Sequence, residues 1–227
     1  MSAILDNVDI IVQAYGYVLA LFVIAGVGSL LLGTLLAAMR VGPVRVLSRA
    51  AGLYVHLVRN TPLLLVLIFM RKAGPKVGIS FNFVDIEIGE LRINNLFTAC
   101  VIGLIIYTSA FVCEAIRSGV NAVPLGQAEA ARAIGLPFGG VMRHVVLPQA
   151  FRATVPPLAS VQIALLKNTT VCGALGVLEA FVRLRGLLND YPADRIALFL
   201  CFALIFVVLV EIVSYLAHRL ERRWRIA

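Results

Sequence analysis

Gly126-Gln127-Ala128-Glu129-Ala130-Ala131-Arg132-Ala133-Ile134-Gly135 lies between two long apolar stretches, and thirteen residues past its last glycine stands Pro148, in Leu147-Pro148-Gln149-Ala150. Pro124 suits a helix start, where a missing N–H costs nothing. Gln127 to Ile134 are strong helix formers, and Gly135 fits the left-handed position that closes a helix. Pro137, Gly139 and Gly140 then predict a turn, followed by a second short helix that Pro148 ends. Two short helices at an angle make a stiff knuckle, and Ala130, Ala131 and Ala133 give it a slim surface that another protein can grip. On periodicity alone, a plain connecting loop carrying an amphipathic helix fits equally well.

The surroundings of this segment are apolar along the whole chain. Of 227 residues 61% are hydrophobic and 14% charged, far from the average of soluble domains. Apolar runs long enough to cross a bilayer recur throughout and leave no room for a sizeable soluble domain. The chain is therefore read as one integral membrane domain, 1–227, with its largest polar excursion at about 118–150.

Five helical spans are expected, at about 13–39, 53–69, 94–113, 153–177 and 195–217. In the first, Ser29, Gly33 and Ala37 stand four apart, a stripe of small residues suited to close helix contact. The second contains Arg59-Asn60-Thr61-Pro62, and the fourth Lys167-Asn168-Thr169-Thr170. An odd number of spans puts the termini on opposite sides. With the N-terminus outside, twelve of the 20 Lys and Arg fall in inner segments and seven in outer ones, with Lys167 within the membrane. The positive-inside rule thus predicts N-out and C-in, which places the 118–150 segment in the cytoplasm.

The charge of +8 does not point to nucleic acid. Its dense run, Arg219, Arg222, Arg223 and Arg225, flanks the last span and does not interleave with aromatics, so it reads as a cytoplasmic flank. Cys100, Cys113, Cys172 and Cys201 form no C-x-x-C pair, and His56, His144 and His218 are isolated, so no metal site is expected. Asp6 and Asp9, without Lys or Arg, precede the first apolar run, which predicts a retained helix rather than a cleaved leader.

The order Glu129-Ala130-Ala131, three residues, Gly135, nine residues, Val145, one residue, Leu147-Pro148 resembles the EAA loop of ATP-binding-cassette importer permeases. Val145 stands where that pattern usually has isoleucine. Glu114-Ala115-Ile116-Arg117-Ser118-Gly119 before the loop, Leu165 to Thr170 after it and Arg59-Asn60-Thr61-Pro62-Leu63 extend the likeness. Together they resemble the polar amino acid subfamily (the histidine, glutamine and glutamate type), in wording nearest to actinobacterial glutamate permeases. The resemblance implies an all-α, type I importer fold and a subunit whose Gly126, Gln127, Glu129, Ala130, Ala131, Gly135, Leu147 and Pro148 dock into a cytoplasmic ATPase dimer. It further implies a second permease subunit (a different chain favoured over a second copy) and an extracytoplasmic solute-binding protein. ATP and Mg would sit on the ATPase, leaving this chain without cofactor or catalytic activity. No G-x-x-x-x-G-K-[ST], H-E-x-x-H or G-x-S-x-G occurs in it.

Within the spans, Lys167 is costly in lipid and must face a cavity or a partner. Two roles fit it: attracting a substrate carboxylate, or pairing internally with Glu114 or Glu179. Asn168, Thr169 and Thr170 can line a polar cavity, or the threonines can bond back to the preceding turn. Asn60 and Thr61, with Pro62, make a comparable weak point, read as pathway or as a packing kink. Glu114 and Arg117 are expected to form a structural or coupling pair. A cation among neutral donors suits an anionic or zwitterionic amino acid, glutamate first and then aspartate and glutamine. The rivals are an importer permease for another amino acid or small solute, and an ATP-independent secondary transporter, although no duplicated halves are seen.

Overall fold

The computed structural model describes residues 2–78, 85–88 and 91–224. One turn, α1 (Ser2–Leu5), leads into α2 (Val8–Val41), then α3 (Arg45–Arg59) and α4 (Leu63–Ile68). A two-stranded ribbon, β1 (Ile86–Ile88) and β2 (Leu91–Ile93), precedes the long α5 (Asn95–Asn121). Then come α6 (Leu125–Ala133), α7 (Phe138–Val141), α8 (Leu147–Asn168), α9 (Ala180–Asp190) and α10 (Arg195–Trp224).

Among the described residues four helices are long and apolar enough to cross a membrane, or five if one bent pair counts as a span. That pair corrects the expected continuous helix over 53–69. Arg45–Arg59 and Leu63–Val77 meet at an angle of 102°. The cause is local: Pro62 has no N–H to give, and its ring keeps Thr61 out of helical geometry. The freed groups are met nearby, with Thr61 Oγ1 donating to the Leu57 carbonyl at 2.9 Å.

The fourth span also differs from expectation. Helix is continuous over Phe138–Leu175, so Pro148 does not end a short helix but sits in the first turn of α8, where proline is tolerated. At about 1.5 Å per residue these 38 residues reach about 57 Å, nearly twice a hydrocarbon core, so one end must stand clear of the membrane. The first and third spans likewise outrun their expected ends, beginning at Val8 and continuing to Asn121.

Helix α5 is central and α10 peripheral: 67% of the apolar window of α5 is buried within the chain, against 11% in α10. The difference lies in side-chain size. Gly33 of α2 faces α5 so closely that an added Cβ would fall 2.5 Å from the Val112 Cβ, and Ser29 and Ala37 are buried beside it. One core gathers Leu21, Leu67, Phe97, Leu104 and Leu165, and a second joins Val18, Leu166, Leu187 and Phe202. By contrast Phe199, Leu204, Val207 and Ile212 of α10 project outward from the bundle. The ribbon is tied to the bundle by the Arg92 N–H, which donates to the Tyr17 hydroxyl at 2.9 Å.

Candidate functional site: a stiff loop and two clefts

The loop after α5 folds as its own turn chemistry dictates. Helix α6 ends with Gly135 at φ +90°, a left-handed geometry that favours glycine. The Leu136 N–H donates to the Ala131 carbonyl at 3.2 Å and the Gly135 N–H to the Arg132 carbonyl at 2.9 Å, the paired pattern that closes a helix C-terminus. The second arm starts at Pro137 and runs through α7 and a wider turn, Met142–Val146, straight into α8. Ala131, Val141 and Val146 are buried between the arms, with Val120 and Leu136 packed on them, and Gln149 bonds to Gln127 across the gap. This small core makes the loop a rigid body rather than a tether.

Its outer surface is open. Gly126, Gln127, Glu129, Ala130, Gly135, Leu147 and Pro148 are exposed, whereas Ala131 belongs to the loop core. Leu125 and Ile134, each 80% exposed, and Phe138 add an apolar rim that the motif residues alone did not reveal. Both arms are anchored where they join the bundle: Gly119 of α5 packs on Ala150 and Thr154 of α8.

Lys167 and Asn168 close the α-helical part of α8, after which the chain tightens into a 3-10 segment, Thr169–Leu175. Thr169 Oγ1 donates to the Leu166 carbonyl at 2.7 Å and Thr170 Oγ1 to the Lys167 carbonyl at 2.8 Å, so both threonines bond back to the preceding turn. Lys167 is exposed. Asn168 lines a largely apolar cleft of about 280 Å³ with Tyr107, Thr108, Phe111, Ser160, Val161, Ala164 and Leu165. The Thr108 hydroxyl there is buried and has no hydrogen-bond partner.

A second cleft, of about 330 Å³, is lined by Arg40, Gly52, His56, Arg59, Asn60, Phe111 and Glu114. Asn60 reaches the His56 ring at 3.3 Å, whereas Thr61 is used up in the bend. Phe111 borders both clefts, with the Tyr107 ring 5.0 Å away on one side and the Arg59 guanidinium 5.5 Å from its centre on the other. Tyr107, Phe111 and Glu114 share one face of α5 at i, i+4 and i+7 spacing. Sequence reasoning missed the two aromatic residues because an aromatic in an apolar helix reads as core.

Glu114 does not pair with Lys167. It bonds directly to Arg40, with Arg117 at 3.6 Å and Arg59 at 3.9 Å. The expected ion pair at Glu179 is likewise replaced. Glu179 is fully buried as the N-cap of α9, accepting from the Phe181 N–H at 2.9 Å and the Val182 N–H at 3.1 Å. Its extended backbone at the N-cap aims the carboxylate at two N–H groups that the helix leaves unpaired. Burial raises its pKa to about 7 despite those two donors. Among the described residues no three His, Cys, Asp or Glu gather as a metal site.

The described residues are thus helical apart from one short ribbon, with a compact, exposed loop between two candidate spans. The chain belongs to the family described as the binding-protein-dependent transport system inner membrane component, whose model matches residues 29–226. It is 39% identical over 199 residues to the glutamate transport system permease protein GluC of Corynebacterium efficiens, covering 88% of this chain and 87% of that one. It is 32% identical to the probable glutamine ABC transporter permease protein GlnM of Bacillus subtilis, over 99% of both chains. The fold matches a crystal structure of an amino acid ABC transporter with histidines at a TM-score of 0.83 and 27% identity, covering 97% of this chain and 96% of the other.

Proposed function

We propose that this chain is the permease subunit of an ATP-driven importer of polar amino acids, with glutamate the first candidate and glutamine and aspartate next. The observation that carries it is the closed two-armed loop, whose exposed motif residues and apolar rim sit on a rigid core continuous with α8. The 39% identity to a glutamate permease supports the substrate class. In this reading the loop enters a groove on a cytoplasmic ATPase, which holds ATP and Mg and does the hydrolysis, and this chain is not itself an enzyme. A second permease subunit completes the pathway, and we favour a different chain over a second copy. An extracytoplasmic binding protein delivers the solute.

Five spans with the N-terminus outside and the C-terminus in the cytoplasm fit this arrangement, counting the bent pair as one span. The distribution of Lys and Arg supports that direction. Closure of the ATPase pair would draw the loops together, and the anchorage at Gly119 would pass the displacement to α5 and α8 as a rigid-body rocking. Asn168 and Asn60, which line the two clefts at Phe111, and the exposed Lys167 are assigned to the pathway, whereas Thr61, Thr169 and Thr170, whose hydroxyls bond back to the preceding turn, shape the backbone beside it. The test is purification of this chain with its companions from native membrane, followed by measurement of the solute bound by the captured binding protein and of ATP-dependent uptake in proteoliposomes. Glutamate, glutamine or aspartate in both assays supports the reading. Absence of an ATPase, or uptake without ATP, contradicts it.

A further inference from the structure

Three guanidinium groups converge on Glu114, two of them, Arg40 and Arg59, lining the second cleft with it, and they are not equivalent. Arg40 is bonded directly to Glu114 and its side chain is only 17% exposed, so its donors are committed inside the protein. Arg117, one turn along α5 from Glu114, pairs with it at 3.6 Å. Arg59 stands at 3.9 Å, beyond hydrogen-bond reach, with 46% of its side chain exposed and its plane near Phe111. A guanidinium carries five N–H donors in a planar fork matched to a carboxylate. The cluster keeps two uncompensated positive charges, and Arg59 lines an open space of about 330 Å³, the size of a small-ligand pocket.

We propose that this cleft is a carboxylate-binding vestibule and that Arg59 is the residue that takes the carboxylate of the transported solute. The inference rests on the amino acid importer reading and adds to it a binding site and a specificity residue on the loop side of the bundle. Glu114 lies seven residues, about 10 Å of helix, before the end of α5 at Asn121, where the coupling loop begins. Phe111 is the shared wall of the two clefts, so a solute leaving the neutral donors around Asn168 meets Arg59 next. Glu114 tempers the field of the three arginines, which lets an anion enter without being trapped. His56 and Asn60 add polar contacts on the α3 side, and Gly52 leaves the floor open, since an added Cβ there meets nothing within 4 Å.

Gly52 therefore supplies the test. In the assembled, nucleotide-free importer, a Gly52→Cys thiol on a Cys201→Ser background is labelled with an anionic and a cationic methanethiosulfonate reagent. The anionic reagent is expected to react about tenfold faster than the cationic one, the scale of electrostatic focusing in a charged cleft. Millimolar glutamate should slow that labelling, and acetamide should not. Arg59→Gln should bring the two rates near parity and abolish the protection. Arg59→Lys should keep the charge preference but weaken protection, because the fork is lost. Co-purification of the ATPase with each variant checks its assembly. Equal rates for the two reagents, or preference and protection unchanged in Arg59→Gln, overturn the proposal. Uptake by the same preparations is scored separately: an importer of some uncharged solute with an intact anion preference at Gly52→Cys would sink the substrate reading alone.

Discussion

Gly119 of α5 packs against Thr154 of α8 with no room for a side chain. A Cβ at Gly119 would lie 2.8 Å from the Ala150 carbonyl oxygen and closer still to the Thr154 hydroxyl. The contact stands at the base of the coupling loop, where its two arms enter the bundle. In the proposed reading it is the point at which a push on the loop becomes a movement of two helices. Gly119→Ala is expected to cost about 1–3 kcal/mol by overpacking, read as a lower unfolding midpoint of the purified complex. Gly126→Ala, where an added Cβ meets nothing within 4 Å, should leave the midpoint unchanged or slightly raised.

The apolar rim of the loop should be energetic at an interface and silent in the isolated permease. Ile134, 80% exposed, contributes nothing to the loop core. Ile134→Ser is expected to weaken ATPase co-purification about tenfold or more while leaving the unfolding midpoint of the permease within about 0.5 kcal/mol of the parent. A stable ATPase complex in this variant would place the docking surface elsewhere.

Removing the Glu114 carboxylate should be costlier than removing any one of its arginines. Arg40 is largely buried against it and would be left without its partner. Glu114→Gln is expected to lose about 1–3 kcal/mol of stability. Arg117→Gln, at a more exposed and looser pair, should lose about 1 kcal/mol or less. Chemical denaturation of the purified complexes would separate the two.

Glu179 predicts a pH dependence of defined sign. Its folded pKa of about 7 lies above the ordinary 4.5, so the folded state holds more protons than the unfolded chain between those values. The stability tied to this carboxyl is fully present below about pH 4.5 and is lost as pH rises through 7, about 3 kcal/mol in all. Glu179→Gln should flatten that part of the stability profile between pH 5 and 8, measured by thermal unfolding. An unchanged slope would mean that the carboxyl titrates normally.

Lys167 is exposed at the end of α8 and meets neither of the carboxylates considered for it. Lys167→Met is therefore expected to lower uptake of an acidic amino acid about tenfold, the loss of one charge-assisted contact, with assembly preserved. Normal glutamate uptake by the variant would remove Lys167 from the pathway.

How much of this was legible in the sequence follows from how local each feature is. The left-handed turn at Gly135 and the helix start after Pro124 depend on neighbours a few residues away, and their residues announce them. The bend at Pro62 was visible only as a weak point, because apolar content does not record direction, and 102° separates two segments that read as one. Glu114 has one partner, Arg117, at the i+3 position that the sequence displays, but it drew Arg40 and Arg59 from α2 and α3, 74 and 55 positions away, and no periodicity links those. Glu179 was locally readable as a cap, one residue before an amphipathic helix, yet glutamate is an uncommon residue at that position and the charge suggested a salt bridge instead. Phe111 gave no signal, since its role comes from standing between two clefts.

The most direct test of force transmission through the loop is to measure ATP hydrolysis and solute uptake in the same proteoliposomes for Glu129→Ala and Gly135→Ala. Glu129 lies on the exposed face of α6, and an alanine at Gly135 must adopt φ +90°, at a strain of about 1–2 kcal/mol. The account predicts that both variants assemble, that hydrolysis continues, and that uptake per ATP falls at least about tenfold. Uptake per ATP equal to that of the parent in both variants would contradict it.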